Sequence, residues 1–350
     1  MDISPWAWAG FLAIVGGMLA LDLGVFNRRP HELKLKEASM WAAMWISIGV
    51  GFAAVVWWLY SDRVSPSAGE TAVQLYLTGF ILEKALSVDN LFVFIIIFTY
   101  FDVKGEHQHR VLYWGILGAL VMRAAFIFTG SAALNSYEPA IYVLAALLVF
   151  TALKMAFGGD GKLDPSQSRV YLFLKRVLPL TEAPHHGHFF HRENGKRVAT
   201  SLLLCLLMIE ATDVLFALDS VPAVLGVTTD PFIVYTSNIF AILGLRSLFF
   251  VVHAGLKALH YLKPALVLLL LFIGAKMLVT GPLWHAVDIT VTHSLAVVLG
   301  ILGTAVLASW LHGRRHPEEP TVEAVAEEMI SGHIRPPPAH GEDGSDGDKE

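Results

Sequence analysis

The chain has 350 residues, of which 55% are hydrophobic and 16% charged, where a soluble domain carries roughly 25% charged residues. Apolar stretches long enough to cross a bilayer recur along almost the whole length, which excludes an ordinary soluble globule and leaves a polytopic helical membrane protein, all-α in class. The net charge of −5 belongs to the tail: residues from 314 onward hold ten acids and four bases, leaving 20 acids and 21 bases for the rest.

Taken in chain order, the hydropathy pattern predicts nine spans, near 8–26, 40–60, 73–98, 111–133, 138–157, 199–225, 231–254, 264–283 and 289–312. The first is read as a span and not a cleaved signal peptide, since Met1 to Trp8 contains no Lys or Arg. Lys and Arg number four at 27–39, two at 99–110, seven at 158–198 and two at 255–263, but only one, Arg63, falls in the alternate connections. This alternation places the N-terminus outside and the C-terminus in the cytoplasm of a bacterial-type inner membrane. The nine tryptophans, among them Trp41, Trp45, Trp57 and Trp58, read as an interfacial belt, and Gly16-Gly17 as a point of close helix packing.

Between the spans, the inner loop 158–198 carries His185, His186, His188 and His191. These are expected to be solvated loop histidines, with a weak metal sensor or feed site as the sharper alternative. The tail 314–350, with Pro336-Pro337-Pro338 and a Gly- and Asp-rich end, is expected to be disordered apart from a short amphipathic helix at 321–330. Cys205 is the single cysteine, so a disulfide framework and a thiolate metal cage are excluded, and redox chemistry with them.

Comparison of the chain with itself is the most informative step. EKALSVDN at 83–90 aligns with DVLFALDS at 213–220, so an acid is followed six residues later by Asp and then by Asn or Ser. In the next span WGILGALVMRAAF, from Trp114, aligns with SNIFAILGLRSLF, from Ser237, superimposing Arg123 on Arg246. In the third, LLVFTALKM and LLLFIGAKM superimpose Lys154 on Lys276. Three consecutive spans repeat in order, and an odd number of spans per unit makes the two units inverted. Inverted repeats with polar helices at their interface are a transporter architecture, with the site near the bilayer midplane. The organisation expected is two N-terminal spans in 1–72, repeat one in 73–157, the cytoplasmic loop 158–198, repeat two in 199–283, a last span in 284–313, and the tail.

Glu83, Asp89, Glu210, Asp213 and Asp219 lie inside the spans that lead the two repeats, and each costs roughly 2.5–3.5 kcal/mol if unpaired. They require neutralisation. Arg123, Arg246, Lys84 and Lys276 are the candidate counter-charges or coupling groups, while Lys154 is close enough to the inner surface to snorkel. A set of buried ion pairs that only pin the bundle is the bland interpretation, weakened because such pairs are seldom the best way to stabilise a core. The functional one is a cation site, with Asn90, Ser220, Ser87, Asn238 and Thr212 adding neutral oxygens to the acids. Such a cage suits Mg²⁺, Ca²⁺ or Mn²⁺, and ligand type does not choose among them. Glu83 and Asp89 diverge by about 120° on an ideal helix. Pro222 predicts a break or bend at 217–221, and repeat symmetry extends the expectation to Ser87–Asn90. Asp22 is expected to pair with Arg28 or Arg29, or to sit at the interface.

At these residues the sequence resembles the TerC family of integral membrane proteins, within the wider LysE-type transporter group. The resemblance covers about 8–312 and is most specific in IEATDVLFALDSVPAVLGVTTDPFIVYTSNIFAILGLRSLFF at 209–250 and GFILEKALSVDNLFVF at 79–94. It implies a manganese exporter whose intramembrane acids correspond to Glu83, Asp89, Glu210, Asp213 and Asp219, with a link to tellurite resistance. Export of Mn²⁺ in exchange for protons is the leading expectation, with Ca²⁺ or Mg²⁺ behind it as cargo. A membrane-embedded organiser or metal-sensing partner is the alternative, and an amino-acid exporter a third. No resident cofactor, nucleic-acid partner or enzymatic activity is expected, because the chain has no nucleotide loop, HExxH pair or nucleophile arrangement.

Overall fold

The computed structural model describes residues 3–26, 35–137, 139–157, 165, 168–179, 187–193, 196–253, 261–280 and 289–315. Eleven helices and one hairpin make up the described residues: α1 (Pro5–Phe26), α2 (Leu35–Arg63), α3 (Pro66–Tyr100), α4 (Gly105–Ser136), α5 (Ala140–Phe157), α6 (Arg169–Val177), β1 (Phe190–Glu193), β2 (Lys196–Ala199), α7 (Ser201–Leu225), α8 (Pro231–Leu243), α9 (Leu245–His253), α10 (Leu262–Thr280) and α11 (Val291–Arg315). Each of the nine apolar segments expected from the sequence is helical. Six helices (α2, α4, α5, α7, α10, α11) are long and apolar enough to cross a membrane, or seven when α8 and α9 count as one bent span. The apolar part of α1, Pro5–Ala20, is shorter, and the 35-residue α3 carries Glu83, Lys84 and Asp89 in its middle.

Helix starts follow from local chemistry. Ser65 caps α3 by accepting from the Ala68 N–H at 3.2 Å, with Pro66 in the first turn, where its missing N–H costs nothing. Asp230 does the same for α8, accepting from the N–H groups of Phe232 (2.9 Å) and Ile233 (3.2 Å) ahead of Pro231, while its other oxygen accepts from the Tyr60 hydroxyl at 2.8 Å. That last bond ties the end of α2 to the start of α8.

Packing within the bundle is reciprocal. Helix α3 lies against α8, and α7 against α4; α3 and α7 touch each other, and α5 pairs with α10. Close approaches are set by small residues. Gly79 of α3 leaves room for Ser237 of α8 and Val224 of α7, and Gly274 of α10 for Val149 of α5. At the α2–α3 contact a Cβ on Gly69 would stand 2.9 Å from the Trp57 carbonyl oxygen, a backbone atom that cannot rotate aside. Gly69→Ala is therefore expected to destabilise the bundle by about 1–3 kcal/mol, read as a lowered unfolding temperature in detergent. Below this contact Phe52 and Phe240 pack with ring centroids 4.5 Å apart, and the Tyr76 hydroxyl donates to the Gly49 carbonyl at 2.7 Å.

Several expectations are corrected. Pro222 does not break its helix: α7 is helical throughout 217–221 and ends only at Leu225. The lost hydrogen bond falls in the last turns, where few following residues depend on it. Helix α3 is also continuous across Ser87–Asn90. The break occurs one span later, at Gly244, where α8 and α9 meet at a 43° bend. Nothing approaches a Cβ placed on Gly16 or Gly17, so they mark no close packing among the described residues. Trp45 is buried in the core, although Trp57 and Trp58 are exposed. The fold is not wholly helical: β1 and β2 pair antiparallel, His191 opposite Val198, in the connection between α6 and α7. Asn194-Gly195, the sequence signal of a tight hairpin turn, lies between them and outside the described residues. So do His185, His186, the tail from 316, and the side chains of Asp22, Arg28 and Arg29.

The hairpin is clamped to the bundle. Thr200 Oγ1 donates to the His188 carbonyl at 2.8 Å, and Arg110 Nη1 to the Gly187 carbonyl at 2.5 Å, with its guanidinium over the Phe189 ring. Gly187 has φ of +75°, a left-handed conformation that glycine tolerates, and the His107 ring closes the space beside it.

Candidate functional site

The first helices of the two repeats, α3 and α7, meet beside α4 and α8, and the polar residues of all four converge on one guanidinium. Arg123, projecting from α4, is completely buried. Its Nη1 is paired with Glu83 Oε1 of α3 and also lies 3.2 Å from Ser220 Oγ of α7 and 3.4 Å from Asn238 Oδ1 of α8. Its Nη2 lies 3.4 Å from Asp213 Oδ1 of α7. Asn238 Nδ2 donates to Glu83 Oε2 at 3.0 Å, so the amide bridges the glutamate and the arginine. Two carboxylates facing one guanidinium satisfy most of the buried charge, as a dry interior demands. Three polar atoms here have no partner: Arg123 Nε, Asp213 Oδ2 and, one turn along α3 from Glu83, Ser87 Oγ.

The other acids stand apart. Glu210, one turn before Asp213, is half-buried, and its carboxylate occupies the place that a Cβ on Gly118 of α4 would take. Gly118→Ala must therefore push the flexible end of Glu210 away without changing any charge. The variant is expected to keep an unfolding temperature near that of the intact protein, because only a rotamer moves.

Asp219 Oδ1 accepts from Thr151 Oγ1 of α5 at 2.8 Å, with Lys154 as its cationic neighbour. Asp89 has Lys263 of α10 as its cationic neighbour. The second acid of each repeat thus faces the third helix of the other repeat. Asn90 is buried on α3, one residue beyond Asp89.

The candidate cations behave differently from one another. Arg123 is the hub. Arg246, its repeat mate, meets His109 of α4 instead, donating from Nε at 3.2 Å and from Nη2 at 2.9 Å to Nδ1. Lys84 donates to the Ala241 carbonyl at 2.6 Å, in the last turn of α8 beside the Gly244 break. Lys276 is half-buried on α10. His109 and Lys84's carbonyl contact were not anticipated from the sequence; a polar His at the mouth of span four and the ILGL stretch carrying Gly244 were the available signals. Among the described residues no group of three or more His, Cys, Asp or Glu side chains is arranged to hold a metal ion. His188 and His191 therefore form no such centre with their described neighbours.

The sequence pattern described as "Integral membrane protein TerC family" matches residues 68–316, which include every residue of this cluster. The chain belongs to the TerC family. It is 45% identical over 314 residues to the uncharacterized membrane protein STKORF319 of Myxococcus xanthus, covering 90% of this chain and 95% of that one. It is 39% identical over 313 residues to the Escherichia coli (strain K12) protein named as a membrane-bound redox modulator, Alx, covering 89% of this chain and 96% of that one. It is also 39% identical over 338 residues to the tellurium resistance protein TerC of Serratia marcescens, covering 88% and 95%. No solved structure matches. The redox role is in the name of the Escherichia coli protein; here the one cysteine, Cys205, is buried within α7.

Proposed function

We propose that this TerC-family membrane protein exports divalent metal cations, Mn²⁺ foremost, from the cytoplasm through a carboxylate site between two inverted three-helix repeats, in exchange for protons. The observation that carries it is the meeting of Glu83 and Asp213, the leading acids of the two repeats, around one buried cation with Ser220 and Asn238 beside them. Two carboxylates, a hydroxyl and an amide oxygen form a hard oxygen set, the kind that Mn²⁺, Mg²⁺ and Ca²⁺ accept. A guanidinium held there marks a place built for positive charge. The reciprocal packing of α3 on α8 and α7 on α4 supports the inverted repeat. The nine-span topology, with the N-terminus outside and the C-terminus in the cytoplasm of an inner membrane, is supported by the alternation of basic loops.

In this reading Glu83 and Asp213 bind the ion, and Glu210, Asp89 and Asp219 line the way to and from it. Protons return on the acids that line the way, Glu210, Asp89 and Asp219. The resemblance extends the site to Asp89 and Asp219, with Asn90 as a neutral oxygen beside them, and cellular metal content tests that extension. In cells lacking their own manganese exporters, the intact protein is expected to lower cellular manganese, while Asp89→Asn and Asp219→Asn, inserted at equal levels, leave it high. Low manganese in both variants would remove these two acids from the pathway.

The organiser reading draws on a different feature: Arg123 of α4 already binds groups on α3, α7 and α8, so the cluster also works as a lock between four helices. It predicts that neutralising the acids disrupts assembly and leaves cellular manganese unaffected even by the intact protein.

A further inference from the structure

The two repeats differ at one place. Helix α4 runs unbroken through Arg123, whereas its counterpart is interrupted at Gly244, two residues before Arg246. Gly244 stands where repeat one has Val121, and a Cβ there would lie 2.9 Å from Lys84 Nζ and 3.0 Å from Trp45 Cβ, so a larger side chain would crowd the turn. As a result Arg123 reaches the carboxylates while Arg246 is held on His109. Between Arg246 and Asp213 is a cavity of about 20 Å³, room for roughly one water. Arg246 and Asp213 are the two charged residues of its lining, and residues such as Gly115, Ala119, Ile242 and Leu245 make the rest apolar. Asp213 has a second carboxylate oxygen, Oδ2, buried and without a partner.

We propose that Arg123 and Arg246 alternate as internal cations at the Glu83–Asp213 pair, one in each facing of the carrier, so that the empty site crosses the membrane neutralised by an arginine. The inference rests on the transport reading above. In an inverted repeat the opposite-facing state is reached by exchanging the conformations of the two halves. Exchange here means that the second helix of repeat two straightens at Gly244 and carries Arg246 across the small cavity to Asp213. The matching bend in α4 withdraws Arg123. A bare pair of carboxylates in a dry site is the costly species on the return stroke, and the guanidinium removes that cost. Loaded with a divalent ion, the site needs no arginine.

Reconstituted full-length protein distinguishes the two strokes. Net Mn²⁺ export requires return of the empty carrier, whereas exchange of ⁵⁴Mn²⁺ for Mn²⁺ on the other side does not. Arg246→Gln is expected to lower net export at least about tenfold while exchange stays within about threefold of the intact protein. Arg246→Lys, which keeps the charge, is expected to recover part of the net export. His109→Gln removes the holding partner but leaves the arginine, and is expected to spare both modes. Loss of exchange together with net export in a monodisperse Arg246→Gln protein overturns the proposal, as does undiminished net export. Equal loss in His109→Gln overturns it too, by making the His109 contact the essential one. Absence of both modes in the intact protein overturns the transport reading itself.

Discussion

Glu83→Gln is expected to destabilise the detergent-solubilised protein by about 3–5 kcal/mol, because it leaves the guanidinium of Arg123, completely buried, with Asp213 as its one remaining anionic partner at 3.4 Å. Unfolding followed by intrinsic tryptophan fluorescence is expected to show a midpoint roughly 6–20 °C lower. Removing both charges is a different matter. Glu83→Gln combined with Arg123→Gln takes away the orphaned cation along with its partner, so the double variant is expected to be more stable than Glu83→Gln alone. A double variant destabilised by the simple sum of the two single changes would mean that the two side chains act independently, against the contact between them. Asn238 belongs to the same network through its bonds to both residues.

Lys84→Met is expected to cost about 1.5–3 kcal/mol and to depress metal flux about tenfold. The ammonium donates to the Ala241 carbonyl in the last turn of α8, just before the helix stops at Gly244. A cation there also meets the negative end of the α8 dipole. Without it the α8–α9 bend loses its support, and Asn238, two turns earlier on α8, shifts relative to Glu83. Lys84→Arg keeps the charge and is expected to recover most of the stability; the unfolding midpoints of the three proteins check this. Equal midpoints for Lys84→Met and the intact protein would remove Lys84 from the support of the bend.

Much of this site was legible in the chain. The repeat alignment, made from Glu83 with Asp213, Asp89 with Asp219 and Arg123 with Arg246, selected the residues that the helices bring to their interface. Charge cost then identified Arg123 as a counter-ion before any geometry was available. What remained hidden was asymmetry. The alignment treats Arg123 and Arg246 as equivalents, yet they have different partners: the helix pair that carries Arg246 is bent at Gly244, whereas α4 is continuous past Val121. The sequence reading put the break at Pro222, since proline is the loudest helix breaker, and missed that a proline near a helix end disturbs little. Five acids were treated as one group, but helical geometry separates them: residues six apart diverge, and Asp89 and Asp219 face α10 and α5 instead of Arg123. The hairpin at 190–199 escaped notice because its signal, Asn194-Gly195, is two residues long in a loop read for its histidines.

The most direct measurement is ⁵⁴Mn²⁺ accumulation in inside-out vesicles, which report movement from the cytoplasmic to the outer face, with the intact protein and with Asp213→Asn verified as folded and inserted. The account predicts accumulation with the intact protein, driven by a proton gradient, and a signal at the level of empty vesicles for Asp213→Asn. Equal accumulation by the two proteins, or none with the intact protein, would contradict a carboxylate site that carries the ion.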